Sequence, residues 1–329
     1  MNILVTGGAG FIGSHLVERL LQAEHTVYVL DDLSTGVIQN LDGVSGNKRL
    51  KVRIGSVLDA DLVENLMREC ESVYHLASAV GVQLIMNQPI DTIERIVLGT
   101  DIVLKYASRY RCKTLIASSS EVYGKSNDVP FTEDGDRVEG PTYMHRWAYA
   151  AAKAMDEFMG LAHAKTTGLP VVVARLFNTV GPRQSGQYGM VLPRFCRAAL
   201  AGDPLYVYGD GRQTRCFAHV LDIIKALQGL MDADHTCGEV FNVGTDEEIP
   251  IMGLAELVVE LAGTESAIRT KPYEEVYPTG GFEDMLRRVP CVDKIAKAIG
   301  WRPTRNLRQI VSDVLAFEKA KFGRSGSAR

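Results

Sequence analysis

Brief apolar runs alternate with longer amphipathic stretches along the first half of the chain. Ile3 to Val5, Thr26 to Leu30, Leu50 to Ile54, Ser72 to Leu76 and Thr114 to Ala117 are short and rich in β-branched and aliphatic residues. Runs of that length and content predict strands. Ser14 to Gln22, Asp59 to Cys70 and Ile90 to Tyr110 predict the helices between them. Such alternation implies a doubly wound α/β fold, a parallel sheet covered on both faces. Val171 to Arg175 continues the sheet, and after Asn178 the alternation weakens. Gly181-Pro182-Arg183 and Gly186 to Gly189 predict loop, Val191 to Ala201 a helix, and Leu205 to Tyr208 a strand before the turn Gly209-Asp210-Gly211. Glu239 to Val243 predicts another strand and Ile251 to Leu261 another helix. The expected division is a sheet domain over 1–177, with 216–248 returning to it. A smaller α+β lobe is expected over 178–215 and 249–322, and a loose tail over 323–329.

Composition narrows the function. The formal net charge of −4 and the lack of a long basic run argue against nucleic acid as the main partner. Cys70, Cys112, Cys196, Cys216, Cys237 and Cys291 are scattered and lack C-x-x-C spacing. Neither a metal site nor a disulfide framework is implied, so reduced thiols in a cytoplasmic protein are expected. Met1 leads directly into the first apolar run, with no basic and then apolar leader, so no signal peptide is expected. No stretch is long and apolar enough to predict a membrane span.

The first run ends in Thr6-Gly7-Gly8-Ala9-Gly10-Phe11-Ile12-Gly13. Gly7, Gly10 and Gly13 fit G-x-x-G-x-x-G, and Gly8, Gly10 and Gly13 fit G-x-G-x-x-G. Glycines there let backbone approach a pyrophosphate at a helix N-terminus. Glycine turns are common, and the motif alone is weak. Its place between a strand and a helix, with Asp31 closing the next strand, makes it a dinucleotide fingerprint of the Rossmann type. Asp31 is placed to bind ribose hydroxyls and to repel a 2′-phosphate, which favours NAD over NADP.

Tyr149 and Lys153 are spaced i, i+4 and share one face of an alanine-rich helix, Ala148 to Leu161. An ammonium favours the phenolate form of a nearby tyrosine, and a phenolate can take a proton from a sugar hydroxyl during oxidation. By itself the pair reads equally as a surface helix. Ser118-Ser119-Ser120 follows the strand Thr114 to Ala117, where a hydroxyl could bond the reacting oxygen or simply cap the following turn.

Together with these, His75-Leu76-Ala77, Ser119 to Gly124, Arg175-Leu176-Phe177-Asn178, Gly181-Pro182-Arg183, Tyr208 to Gly211 and Thr214-Arg215 resemble the extended short-chain dehydrogenase/reductase family of nucleotide-sugar epimerases, dehydratases and decarboxylases. The resemblance runs from residue 1 to about residue 320. It implies Tyr149 as base, Lys153 lowering its pKa and holding the nicotinamide ribose, and Ser119 assisting at the 4-hydroxyl. It implies NAD contacts from Gly7, Gly10, Phe11, Ile12, Gly13, Asp31, Asp32, Val57, Leu76, Ala77, Ser78, Tyr149 and Lys153. Ser56 departs from the Asp common near the adenine, which bears on that contact. Asn178, Val191, Tyr208 and Arg215 would line the nucleotide-diphosphate site of a UDP-sugar. The helices Ile90 to Tyr110 and Ala148 to Leu161 resemble those of a four-helix homodimer interface, although amphipathic pattern alone fits intrachain packing as well.

Within that family the residues after the catalytic serine separate the chemistries. Dehydratases usually carry an Asp-Glu pair, and this chain has Ser120-Glu121. Ser-Glu resembles UDP-glucuronate decarboxylases, including UDP-xylose synthases. Gly140-Pro141, Arg146-Trp147-Ala148-Tyr149, Gly281-Phe282-Glu283-Asp284 and Arg288-Val289-Pro290 resemble further decarboxylase segments. Ser120, Glu121 and Arg288 are therefore expected in the catalytic set. Arg288 is suited to grip a carboxylate and orient it. Its alternative is a solvated charge beside Glu283 and Asp284, and that of Glu121 is a solvent-facing carboxylate. The implied reaction oxidises C4, loses carbon dioxide from C5, and returns the hydride fully or partly, giving UDP-xylose or the 4-keto pentose. The rival readings are a UDP-hexose or UDP-hexuronate 4-epimerase and a non-catalytic nucleotide-binding protein.

Overall fold

The computed structural model describes residues 1–78, 88–186, 190–277 and 283–326. Seven strands form one parallel sheet: β1 (Asn2–Thr6), β2 (Thr26–Asp31), β3 (Leu50–Ile54), β4 (Ser72–His75), β5 (Lys113–Ser119), β6 (Val171–Leu176) and β7 (Glu239–Val243). Their spatial order is β7-β6-β5-β4-β1-β2-β3. The chain winds outward from β1 to β3, then restarts on the other side of β1 at β4. That reversal opens a crevice at the carboxyl ends of β1 and β4. The helices α1 (Phe11–Gln22), α2 (Ala60–Met67), α3 (Pro89–Tyr110) and α4 (Arg146–Thr167) cover the faces. Asp59 caps α2 by accepting from the Leu62 amide at 3.1 Å.

The period-2 alternation of strand side chains divides the core between the two faces. Val5, Leu115 and Val172 pack with α1 and the helix Val220–Asp232. Their neighbours Leu4, Ile116 and Val173 pack on the opposite face with α2 and α3. Each such fully buried aliphatic side chain contributes about 1.5–3 kcal/mol. A third core lies among the helices Val191–Ala201, Ile251–Ala262 and Leu307–Gly326, with Phe195, Leu254, Val258 and Ile310 at its centre. Short two-stranded ladders join Leu205–Tyr208 to Ile268–Lys271 and Thr214–Cys216 to Glu248–Pro250.

Glu239–Val243 pairs with β6 inside the main sheet. Val292, Ile295 and Trp301, within the segment expected in the smaller lobe, pack in the sheet's core instead. Trp301 Nε1 donates to the Asp222 carbonyl at 3.0 Å there. The expected tail at 323 is corrected. The last helix passes it and runs to Gly326, because one glycine costs a helix only about 1 kcal/mol. Residues 327–329 of that tail, 187–189 of the expected loop, and Gly281 and Phe282 lie outside the described residues. Among the described residues no helix is long and apolar enough to cross a membrane.

Candidate active site

A cavity of about 790 Å³ runs along the carboxyl end of the sheet, near the upper end of the volumes that hold small ligands. Every residue singled out from the sequence for catalysis or binding lines it. Gly7, Gly10, Phe11, Ile12, Gly13, Asp31, Asp32, Ser56, Val57, Leu76, Ala77 and Ser78 form one half. Ser119, Ser120, Glu121, Tyr149, Lys153, Asn178, Val191, Tyr208, Arg215 and Arg288 form the other.

The glycine loop has the geometry a dinucleotide needs. Gly7 has φ +71°, and its amide donates to the Leu30 carbonyl at 2.8 Å. A Cβ on Gly13 would sit 2.1 Å from the Gly7 carbonyl oxygen. The helix α1 begins directly at Phe11, earlier than the pattern indicates, because Gly10 already accepts from the Ser14 amide at 3.0 Å. Its unpaired first amides face the cavity, where an anion is favoured. Asp31 is buried, with amides of Ala9 and Leu33 donating to its two oxygens at 2.9 Å each. Burial lifts its carboxyl above the usual range, against those two bonds. Asp32 pairs with Arg95 of α3 at 2.9 Å. The narrow loop and the two carboxylates suit NAD. The Gly13→Ala protein is expected to lose NAD affinity by at least about tenfold, since the added methyl forces the loop apart. Equilibrium titration with NAD checks this, and an unchanged Kd would show that the loop does not hold the cofactor.

The reactive half is built on one face of α4. Arg146, Tyr149 and Lys153 are spaced three or four apart, Asp156 and Glu157 follow Lys153 by three and four, and all are buried. Lys153 Nζ donates to the Ala117 carbonyl and to Asp156 Oδ2, each at 3.0 Å. An ammonium has three protons, so one donor is left for the cofactor side of the cavity. The Ser119 hydroxyl meets the Tyr149 phenol and also accepts from the Glu121 amide at 3.2 Å. Capping and contact with the reactive tyrosine thus belong to the same hydroxyl. Burial raises the Tyr149 pKa, and Lys153 and Ser119 pull it down without overcoming that effect.

Glu121 stands between two guanidiniums. Arg146 Nη2 lies 3.1 Å from Oε2, and Arg288 Nη1 lies 2.5 Å from Oε1. Arg288 Nη1 also lies 3.4 Å from the Ser120 hydroxyl. Burial alone would raise the Glu121 carboxyl, but Arg146, Arg288 and Arg215 bring it down to about 2. Glu121 and Arg288 are therefore partners in a buried ion cluster, not the solvated charges that each could have been. Arg215 donates to Asp284 at 2.7 Å and to the Met285 carbonyl at 2.8 Å. Arg194 stacks its guanidinium 4.2 Å from the centre of the Tyr208 ring. Asn178 Nδ2 is held by the Cys216 carbonyl at 3.1 Å.

Beneath the site, Arg175 Nη2 pairs with Glu157 at 2.7 Å and Nη1 donates to Tyr123 at 2.8 Å. Tyr123 donates in turn to Asn242 at 2.7 Å, and Ser118 donates to Glu157. This network ties α4 to the ends of β5, β6 and β7. Arg146 and Asp156 were not singled out as site residues from the sequence. Their signal was spacing: Arg146 precedes Tyr149 by three positions and Asp156 follows Lys153 by three, on the same helical face.

Comparison with known proteins agrees with this geometry. Residues 4–314 match the family described as GDP-mannose 4,6 dehydratase. The chain is 40% identical over 313 residues to the UDP-N-acetyl-alpha-D-glucosaminuronate decarboxylase of Bacillus cytotoxicus, covering 95% of this chain and 96% of that protein. It is 35% identical over 315 residues to UDP-glucuronic acid decarboxylase 1 of Danio rerio, covering 96% of this chain and 72% of that protein. Among solved structures it resembles the dTDP-glucose 4,6-dehydratase of Streptomyces venezuelae with NAD bound. That similarity has TM-score 0.89 and 28% identity, and covers 98% of each chain.

Proposed function

Because this chain belongs to the GDP-mannose 4,6 dehydratase family of extended short-chain dehydrogenases/reductases, we propose that its cavity decarboxylates UDP-glucuronate by way of a C4 ketone. The observation that carries this reading is the pair of buried guanidiniums, Arg146 and Arg288, on one carboxylate beside Tyr149 and Ser119. The guanidiniums of Arg146, Arg288 and Arg215 gathered at Glu121 offer the hexuronate carboxylate charge-assisted hydrogen bonds. A neutral hexose has no use for them.

The cofactor is NAD. Bound NAD supplies the hydride acceptor at C4 and, after the carboxyl group has left, the hydride donor. Tyr149 Oη takes the proton of the 4-hydroxyl, with the Ser119 hydroxyl bonded to the same oxygen. Lys153 stabilises the phenolate. Arg288 and Arg146 hold the substrate carboxylate in line for departure, and Glu121 fixes their spacing. The C5–carboxyl bond then breaks with its electron pair flowing into the C4 carbonyl, and C5 takes up one proton from solvent water. Glu121, held ionised, orients the arginines and can accept a proton but has none to donate near neutral pH. Tyr149 finally returns its proton to O4. Arg215, Arg194 and Tyr208 face the nucleotide diphosphate, a dianion that suits guanidiniums and an aromatic face. The lobe carrying them, 178–215 and 249–322 apart from the stretch at Val292 to Trp301 that packs in the sheet's core, is the substrate-binding one, and 1–177 with 216–248 the NAD-binding one.

Incubation of the purified protein with UDP-glucuronate, followed by mass spectrometry and NMR, tests this reading. Carbon dioxide with a pentose or 4-keto pentose nucleotide is the expected result. An unchanged mass with a 4-epimeric product would replace it with an epimerase. A parallel incubation with UDP-N-acetylglucosaminuronate decides whether C2 carries a hydroxyl or an acetamido group in the preferred substrate.

A homodimer is supported by apolar side chains left on the two adjacent helices. Ile90 and Leu98 of α3 and Phe158 of α4 are exposed by 69%, 51% and 62%. Sedimentation equilibrium at the monomer mass would overturn it. A cytoplasmic site is supported by free thiols at all six cysteines, and cell fractionation tests it.

A further inference from the structure

We propose that Asp156 is a positioning residue that sets the pH range in which Tyr149 works, by holding the Lys153 ammonium in a buried ion pair. This rests on the reading of Tyr149 and Lys153 given above and concerns a residue to which that reading gives no part. Lys153 Nζ and Asp156 Oδ2 lie 3.0 Å apart, with side chains only 3% and 0% exposed. Burial raises the Asp156 carboxyl above its ordinary value, and Lys153 and the Thr100 hydroxyl of α3 act against that rise. Thr100 in turn meets His75 of β4 at 3.1 Å, and His75 meets Thr6 of β1 at 2.8 Å. Asp156 thus anchors the ammonium to the centre of the sheet.

Stability alone is a poor explanation for this pair. Drawing two ions out of water costs about as much as their attraction returns, and small apolar residues would fill the same space. The helix already uses them nearby, at Ala150, Ala152 and Ala154. The consequence of a carboxylate at this place is electrostatic. Lys153 lowers the proton affinity of Tyr149 against the effect of burial. Asp156 offsets part of the ammonium charge, and it raises the proton affinity of both Lys153 and Tyr149. A residue that must both take the O4 proton and give it back works best when neither state is strongly favoured.

The groups around Tyr149 leave this control to Asp156. From its own helix it faces Arg146, Lys153 and Glu157, and Glu157 is closed in a pair with Arg175. From the turn after β5 it faces Glu121, which titrates at about 2 among Arg146, Arg288 and Arg215. From β4, His75 faces Lys153 and is pushed down to about 3 by burial.

The test is the pH profile of kcat for carbon dioxide release in Asp156→Asn, Asp156→Ser and Asp156→Glu, with the Tyr149 phenol titrated in parallel. That titration uses the tyrosinate ultraviolet difference between each NAD-loaded variant and its Tyr149→Phe counterpart. In Asp156→Asn the acid limb and the phenol midpoint are expected to move together to lower pH by about one unit. Asp156→Ser, with different packing, should shift the same way, and Asp156→Glu should restore the original profile. A lower kcat or melting temperature with an unmoved midpoint would overturn the proposal and leave Asp156 a structural ion. Failure of the unmodified protein to act on UDP-glucuronate would sink the substrate reading, and the phenol titration would still judge Asp156.

Discussion

Replacing Tyr149 by Phe is expected to slow carbon dioxide release from UDP-glucuronate by about 10²–10⁴-fold. The substitution removes one oxygen and leaves the ring, which packs with Ile96 and Ala152, in place. The proposed reaction asks that oxygen for two proton transfers, one out of the 4-hydroxyl and one back. Ser119 touches the same oxygen, but as a hydroxyl it is far too weak a base to act alone. The glycine loop and Asp31 are untouched, so the NAD Kd should stay within about twofold. Steady-state assays and NAD titration on one preparation check both halves. Retention of more than about a tenth of the rate would remove Tyr149 from the role of base.

Replacing Glu121 by Ala is expected to lower carbon dioxide release by about 10²–10³-fold while leaving NAD bound. The side chain is the common partner of Arg146 and Arg288, and without it two buried guanidiniums face each other. Breaking a buried pair by removing one partner costs about 3–5 kcal/mol, so a lower melting temperature should accompany the loss. Glu121→Gln separates the effects, since it keeps the shape and removes the charge. The same charge gives the fold an acid dependence. The folded pKa of about 2 lies below the ordinary 4.5, so the stabilisation is complete above about pH 4.5 and fades as pH falls toward 2. That component should be missing from the Glu121→Gln protein in melts across this range. Normal decarboxylation by Glu121→Ala would show that the carboxylate has no part in the chemistry.

Much of the site was legible because its parts are local. A strand, a glycine turn and a helix start within Asn2 to Gln22 declare a phosphate loop through backbone geometry alone. Tyr149 and Lys153 are one turn apart, and the helix sets their distance. Arg146 and Asp156 obey the same spacing, yet spacing could not say which way the face points. On an exposed helix they would be ordinary surface charges. The tail was expected from 323 as a chain terminus, and the last helix runs on to Gly326.

By itself the sequence determined the sheet, its parallel winding, the NAD loop and the Tyr-Lys pair. All of these follow from periodicities and spacings of a few residues. Tertiary structure decided what the charges do. Glu121 and Arg288 are separated by 167 positions, and Arg175 meets a tyrosine 52 positions away. Only folding brings those groups together and removes the water that would otherwise screen them. A carboxylate between two guanidiniums, and an ammonium held by Asp156, acquire their proton affinities from burial and from neighbours. Burial and neighbours are properties of packing, which no local pattern of residues specifies.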